Sequence, residues 1–294
     1  MQNDRIKWVY LLILSLIWGS SFILIKKGLV GLTAYQVGAL RIVLTSIFLF
    51  SVGFKTLKTV NRTEWKWIAI SGFIGSFFPP FFFAMAQNHI DSAVASILNS
   101  LTPLSTVVVG VIFLGMKNTK LQILGVFVGL IGTVMLLMAG ADLNPNQDYW
   151  YSILIIISTI GYAFNVNIIK KYLSKANVLA ITTGNFLWIV FPALVLLIWT
   201  GFFETISESR EMQIASLYIL ILSLIGTAVA KVLFTRLVQV ASPVFASSVT
   251  YTMPLVAVGW GILDGESFGL TQVVAAGIIL CGVYLANKRA RSKE

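Results

Sequence analysis

The residues of this sequence that could hold or move a small molecule are polar groups set within apolar runs, and they are written twice. Residues 91–115 read DSAVASILNSLTPLSTVVVGVIFLG, and Ala95, Ser96 and Pro103 recur 151 positions later as Ala246, Ser247 and Pro254. On a helix Ser92, Ser96, Asn99, Pro103 and Thr106 step by four and three, so they share one face. Ser247, Thr250, Tyr251 and Pro254 make the matching stripe. Lipid offers such a face no partner, so it must look at other helices or at a watered cavity. Each proline also lacks an N–H and frees a carbonyl of the preceding turn, which makes Pro103 and Pro254 candidate hinges. The chemistry available to these groups is hydrogen bonding to a solute.

Two cations lie in apolar surroundings. Arg41 falls about eight residues into the second apolar run, roughly 12 Å deep at 1.5 Å per residue. A guanidinium there costs on the order of 3 kcal/mol. It needs carbonyls, polar side chains or a substrate anion around it, so a structural anchor and a ligand-binding group both fit. Lys231 is expected about four residues from the inner end of the eighth run, where its ammonium either snorkels to the surface or meets a carboxylate or phosphate of the substrate.

Aromatic and amide groups complete the candidate set. In the first run Ser15, Trp18, Gly19, Phe22 and Lys26 share a face, readable as a cavity wall with an aromatic gate or as a small-residue packing seam. The sixth run answers with Tyr162, Asn165 and Asn167. The third carries five phenylalanines, Phe77, Phe78, Phe81, Phe82 and Phe83, around Pro79 and Pro80, which must bend or unwind the helix. Phe78 and Phe83 are the rings expected to reach the centre.

What is missing narrows the chemistry further. Every Asp and Glu falls in a loop or at the end of a run. The buried carboxylate that serves coupled transporters as a proton relay is absent, so flux is expected to be facilitated or driven by the solute's own charge. Asp264 and Glu266 are expected to cap the outer ends of the ninth and tenth runs. One histidine, His89, and one cysteine, Cys281, leave no His pair, disulfide or thiolate metal cluster. No nucleotide loop, HExxH, G-x-S-x-G or paired-carboxylate pattern occurs. The sequence predicts no enzyme, no metal and no cofactor.

Membrane helices must position these groups. Of 294 residues 57% are hydrophobic and 11% charged, against roughly a quarter charged in a soluble domain. Apolar runs near 8–25, 33–53, 67–86, 92–114, 121–139, 149–169, 178–200, 213–235, 242–263 and 269–287 are each about long enough to cross a bilayer. Their short connections leave no domain for nucleic acid. The predicted class is an all-α, multi-pass integral protein of the cytoplasmic membrane with ten transmembrane helices. Placing both termini in the cytoplasm puts sixteen of the 21 basic residues inside and Lys26, Lys27 and Arg210 outside, with Arg41 and Lys231 within spans.

The duplication extends along the chain. Trp18-Gly19-Ser20-Ser21-Phe22 with Lys26-Lys27 is answered by Tyr162-Ala163-Phe164-Asn165 with Lys170-Lys171. Gly75 and Ser76 correspond to Gly226 and Thr227, and Gln122 and Gly132 to Gln272 and Gly282. Five spans per copy is an odd number, so the second copy, 149–294, enters the membrane from the side opposite to the first, 1–141: an inverted 5+5 repeat. Gly125, Gly129 and Gly132, with Gly277 as an echo, read as close packing within one chain, and a monomer is expected in preference to a homodimer.

These features together, WGSSF with a following lysine, an arginine early in the second span, proline-centred fourth and ninth spans and Gly265-Glu266, resemble the EamA family of the drug/metabolite transporter superfamily. The first copy departs from the pattern, with Gly115-Met116 where Gly-Glu would stand. The resemblance implies a secondary transporter of amino acids, metabolites or drug-like compounds, working by alternating access and exporting its solute. Its site would lie between the copies, lined by the first, third, fourth, sixth, eighth and ninth spans. Trp18, Phe22, Phe83, Tyr162 and Tyr251 would then give apolar contact, Asn99, Asn165 and Ser247 hydrogen bonds, and Arg41 or Lys231 an anionic contact. A nucleotide-sugar antiporter, which would need more basic residues, and a membrane scaffold or lipid scramblase are the alternatives.

Overall fold

The computed structural model describes residues 2–114, 120–144, 146–207 and 209–287. Gly115, Met116, Lys117, Glu208 and the basic tail 288–294 lie outside these residues, as do the side chains of Asp4, Arg5, Lys120, Gln122 and Asp142.

Every regular element among the described residues is helical. Among the described residues eight helical segments are long and apolar enough to cross a membrane: Ile6–Gly28, Ala34–Thr59, Arg62–Gln87, Ser92–Phe113, Tyr149–Tyr172, Val178–Trp199, Arg210–Val240 and Pro243–Leu263. Two more helices, α7 (Lys120–Leu143) and α15 (Leu270–Asn287), fall on the fifth and tenth apolar runs but contain shorter apolar stretches, Phe127–Ala139 and Leu270–Gly282. Outward-facing Leu12, Phe127, Phe191, Trp199, Leu255 and Leu263 are exposed, the surface a helix presents to hydrocarbon.

Local sequence sets where helices begin. Thr33 and Gln36 form a reciprocal capping box, and α2 (Ala34–Gly53) starts after it; Asn61 and Glu64 do the same for α3 (Arg62–Gly72). Asn177 accepts from Leu179 and Ala180 at the start of α9 (Val178–Trp199). The eighth span ends later than its apolar pattern suggested, running to Val240. Its last turns are amphipathic, with Phe234, Thr235, Leu237 and Val238 buried, so packing extends the helix beyond its apolar run.

Four crossings are interrupted. In the third, a π-helical turn over Phe73–Phe77 separates α3 from α4 (Phe78–Gln87). Pro79 and Pro80 cannot donate to the carbonyls four residues back, and Phe78 N–H instead reaches Phe73 O. The eighth has a longer π-helical turn, Leu222–Val229, between α11 (Arg210–Ile221) and α12 (Ala230–Val240), with no proline to announce it. The fourth breaks at Ser100 and Leu101, between α5 (Ser92–Asn99) and α6 (Thr102–Leu114). The ninth breaks at Ser248, between α13 (Pro243–Ser247) and α14 (Val249–Leu263). Pro103 thus follows its break directly, and Thr102 Oγ1 donates to the Asn99 carbonyl that Pro103 cannot serve, at 2.7 Å. Pro254 lies inside α14, six residues past its break.

Glycine brings helices together. A Cβ on Gly19 of α1 (Gln2–Gly28) would lie 2.6 Å from Val256 Cβ and 2.9 Å from Met253 O of α14. Gly282 of α15 packs on the backbone of Gly125 and Gly129 in α7, and Gly132 on Ile279. The repeated glycines of the fifth and tenth runs therefore face each other within the chain.

Candidate functional site

Where the interrupted helices meet α1, α2 and α8 (Ser152–Tyr172), they enclose a cavity of about 110 Å³. That is room for a cluster of waters or a small solute, since one water needs roughly 10–15 Å³ on this scale. Trp18, Phe22, Arg41, Phe83, Asn99, Tyr162, Asn165, Lys231 and Ser247 all line it. Tyr251, Pro103 and Pro254 are not among its lining residues. Tyr251 is displaced because the break at Ser248 resets the helical phase, and Thr250 and Met253 face inward instead. Phe78 points outward, 46% exposed, because the π turn before it shifts the register; only Phe83 of the expected pair reaches the centre.

The walls repeat the duplication as contacts. Trp18 Nε1 donates to Gly226 O at 2.9 Å, and a Cβ on Gly226 would sit 2.8 Å from Ser21 Oγ. Asn165, the counterpart of Ser21, occupies the space a Cβ on Gly75 would need, and its amide donates to Ser71 O at 2.8 Å. Each copy's first helix thus presses a polar side chain against the glycine of the other copy's π turn. Trp18 also packs edge-on against Phe234 at 4.9 Å, and Phe83 lies between Phe22 at 5.8 Å and Tyr162 at 6.2 Å. Both readings of the first run hold at once: Gly19 is a packing seam and Trp18 a cavity wall.

The cations touch the two π turns. Arg41 Nε donates to Thr227 Oγ1 at 2.7 Å, and Thr227 in turn donates to Leu222 O. Lys231 Nζ lies 3.5 Å from Gly75 O, the carbonyl that Pro79 leaves unserved. Lys231 is buried and does not snorkel; because the helix continues to Val240, it stands nine residues from the end, not four. Among the described residues no Asp or Glu lines the cavity.

Sequence reasoning missed Thr102, Phe234 and Met253. Phe234 was accessible in principle, standing three residues after Lys231 on the same helical face. Thr102 and Met253 depend on breaks in the fourth and ninth spans that no local signal locates to the residue.

One end of the bundle carries a separate charge cluster, and here an expectation is corrected. Glu266 does not cap the tenth span. Its carboxylate accepts from Ser92 N–H at 3.1 Å, Ser92 Oγ at 2.6 Å and Ala93 N–H at 3.1 Å, capping α5, and from Lys26 Nζ at 2.9 Å. The orphan N–H groups and positive dipole end of α5 attract it. Gly265 makes this possible by turning the chain at φ +84°, and Gly261 by leaving the carboxylate room. Asp264 pairs with Lys26 at 2.8 Å and with Lys27. Hydrogen bonds from Lys26 and Lys27 hold the Asp264 carboxyl below its ordinary value, whereas burial pushes that of Asp91 up. At the opposite end Lys170, the counterpart of Lys26, donates to Gln239 O and Ala241 O at 3.0 and 2.7 Å.

An all-helical bundle with apolar flanks and a cavity walled by many of its helices defines a multi-pass membrane protein. The sequence pattern of the EamA-like transporter family matches residues 6–138 and again 149–288, and the chain belongs to that family. It is 26% identical over 277 residues to the "Uncharacterized inner membrane transporter YedA" of Escherichia coli K12, covering 92% of this chain and 87% of that one. An "Uncharacterized transporter" of Archaeoglobus fulgidus is 24% identical over 286 residues, covering 96% and 99%. A "Probable terminal-alkyne amino-acid exporter" of Streptantibioticus cattleyicolor is 25% identical over 146 residues, 49% of each chain. A solved crystal structure at 15% identity superposes with TM-score 0.67 over 97% of this chain and 96% of its own, which shows a shared fold. The chain is a multi-pass protein of the inner membrane, in keeping with its eight long apolar helices and the relatives placed there.

Proposed function

We propose that this protein is a secondary transporter that exports a small organic solute by alternating access, and that it is not an enzyme. The carrying observation is the cavity, which takes its walls from both halves of the chain and brings together nine residues singled out for binding. The ten-helix inverted repeat, 1–141 and 149–294, with both termini cytoplasmic, goes with this reading. The two separate family matches and the mirrored contacts of Gly75 and Gly226 support it. So does the one-sided distribution of basic residues. In this orientation the Lys26 cluster is the outer gate and the Lys170 contacts the inner one. Amide groups at Asn99 and Asn165, the hydroxyl of Ser247 and aromatic faces bind the solute, and the breaks beside Pro103 and before Pro254 let the gates open in turn.

Flux through liposomes containing the pure protein tests this. A solute panel should include at least one compound whose protein-dependent flux slows in Pro103→Ala and Pro254→Ala without loss of folding. Protein-independent flux for every compound would sink the reading. Orientation is checked separately: in a Cys281→Ser background, an impermeant thiol reagent should label Asn146→Cys and not Ser292→Cys in intact cells.

A further inference from the structure

The transport reading leaves the solute's chemistry open, and the cavity's charge balance speaks to it. Among the described residues two cationic side chains line the cavity and no carboxylate does. Among the described residues Arg41 forms one hydrogen bond, from Nε to Thr227 Oγ1, so the four N–H groups on its two terminal nitrogens have no protein acceptor. Lys231 has three donors and one long contact, 3.5 Å to Gly75 O. The lysine is 8% exposed and lies nine residues from the end of its helix, within the bundle. Ionisable groups inside a membrane bundle mark substrate or ion pathways, and two cations that face one cavity without a counter-charge suit an anionic ligand.

The remaining walls set the rest of the ligand. Trp18, Phe22, Phe83, Tyr162 and Phe234 give a broad apolar and aromatic surface. A second charge of positive sign on the solute would find no acidic partner and would share the space with two cations. We infer that the substrate is a small organic anion, a carboxylate on an apolar or aromatic body with no ammonium group, held by the Arg41 guanidinium and the Lys231 ammonium. Amino-acid zwitterions and cationic drugs are thereby excluded, including the class named for the Streptantibioticus relative. The guanidinium offers paired donors to the two carboxylate oxygens. Because Arg41 and Lys231 bond to the π turns of opposite halves, at Thr227 and Gly75, an anion between them would tie those turns together.

This inference rests on the transport reading of the cavity, and the test separates the two. Ligand-induced thermal stabilisation of the detergent-purified full chain is measured with four matched probes: 3-phenylpropanoate, L-phenylalanine, 3-phenylpropan-1-ol and phenethylamine. The carboxylate should bind at least ten-fold tighter than each of the others, and the preference should vanish in Arg41→Gln and Lys231→Gln while Lys231→Arg keeps it. If the Gln variants do not fold, the probe ranking in wild type and the retention in Lys231→Arg decide. Equal or tighter binding of the zwitterion, alcohol or amine overturns the inference, as does no binding of the carboxylate. Liposome flux then distinguishes the readings: carriage of amines or alcohols but not carboxylates overturns the anion assignment and leaves transport standing. Tight carboxylate binding with no flux of any probe overturns transport and leaves the anion site standing.

Discussion

Lys26 and Lys27 at one rim of the bundle and Arg41 and Lys231 in its centre are four cations on apolar helices, treated in opposite ways. The rim pair meets Asp264 and Glu266, and Glu266 in addition fixes the start of α5. The central pair meets a hydroxyl and a carbonyl, both neutral. The pairs differ in depth, the rim lysines being part-exposed and Lys231 buried, yet the Glu266 carboxylate that meets the rim is itself buried. Where charge serves architecture, the chain supplies the counter-charge itself. In the centre the described residues supply no counter-charge, which suits the proposed anion site, since an internal salt bridge there would compete with the solute.

The comparison breaks most forcefully at Glu266. Glu266→Ala leaves the rim lysines only Asp264, with Lys26 losing one of its two partners and the Ser92 and Ala93 N–H groups losing their acceptor. Lys26 is 32% exposed and keeps Asp264, so the cost is chiefly that of the lost helix cap, about 1–2 kcal/mol, and the variant should melt below wild type in detergent. A melting temperature within experimental error of wild type would show that the rim cluster is ornamental. The inverse experiment is Thr227→Asp, which gives Arg41 a carboxylate where it now has a hydroxyl. Transport of any anionic solute should fall at least ten-fold, while apo stability should change little, because the charged hydrogen bond to Arg41 is offset by desolvation of the new carboxylate and by the lost donation from Thr227 to Leu222 O. Unchanged transport would mean that Arg41 is an anchor and takes no part in binding.

Part of this arrangement is legible in the sequence alone. Positions on unbroken helices were readable: Trp18 and Phe22 from face periodicity in α1, Tyr162 and Asn165 from their correspondence with Trp18 and Ser21. Arg41 and Lys231 stood out because ionisable groups are rare in hydrocarbon. Periodicity failed wherever the backbone left the α-helical repeat. The π turns at Phe73–Phe77 and Leu222–Val229 and the breaks at Ser100 and Ser248 rotate everything beyond them, moving Phe78 and Tyr251 out and Thr102 and Met253 in. The third-span turn is signalled by two prolines, but the eighth-span turn has none and shows only as the repeat of Gly75-Ser76 in Gly226-Thr227. Glu266 was misplaced for another reason: its partners are 174 residues away in the chain, and a loop carboxylate reads as the cap of its nearest helix until the tertiary contact is seen.

The mildest way to perturb the rim is acid, and its sign follows from the carboxyls there. Asp264 is held below its ordinary value by hydrogen bonds from Lys26 and Lys27 of α1. It therefore contributes stability above about pH 4, the unfolded carboxylate range, and that contribution is lost as pH falls through its lower folded value. Asp91 beside it runs the other way: burial raises it, so its ionised form is a burden that protonation relieves as pH falls. The two oppose each other; Lys26 faces both, and Glu266 faces Asp91. Asp264→Asn should accordingly remove the acid-side loss and leave Asp91's gain exposed, so that the variant melts lower than wild type at pH 7 but changes less, or even rises, between pH 5 and pH 3. Because Asp264 is partly in contact with water, the gap at pH 7 should be under about 1 kcal/mol, the range of exposed ion pairs. Asp91→Asn should show the complementary profile, melting higher than wild type at pH 7 and converging with it in acid. Parallel melting curves for wild type and Asp264→Asn across this range would mean that the Lys26 and Lys27 contacts with Asp264 carry no free energy, and that Glu266 alone distinguishes the rim from the cavity.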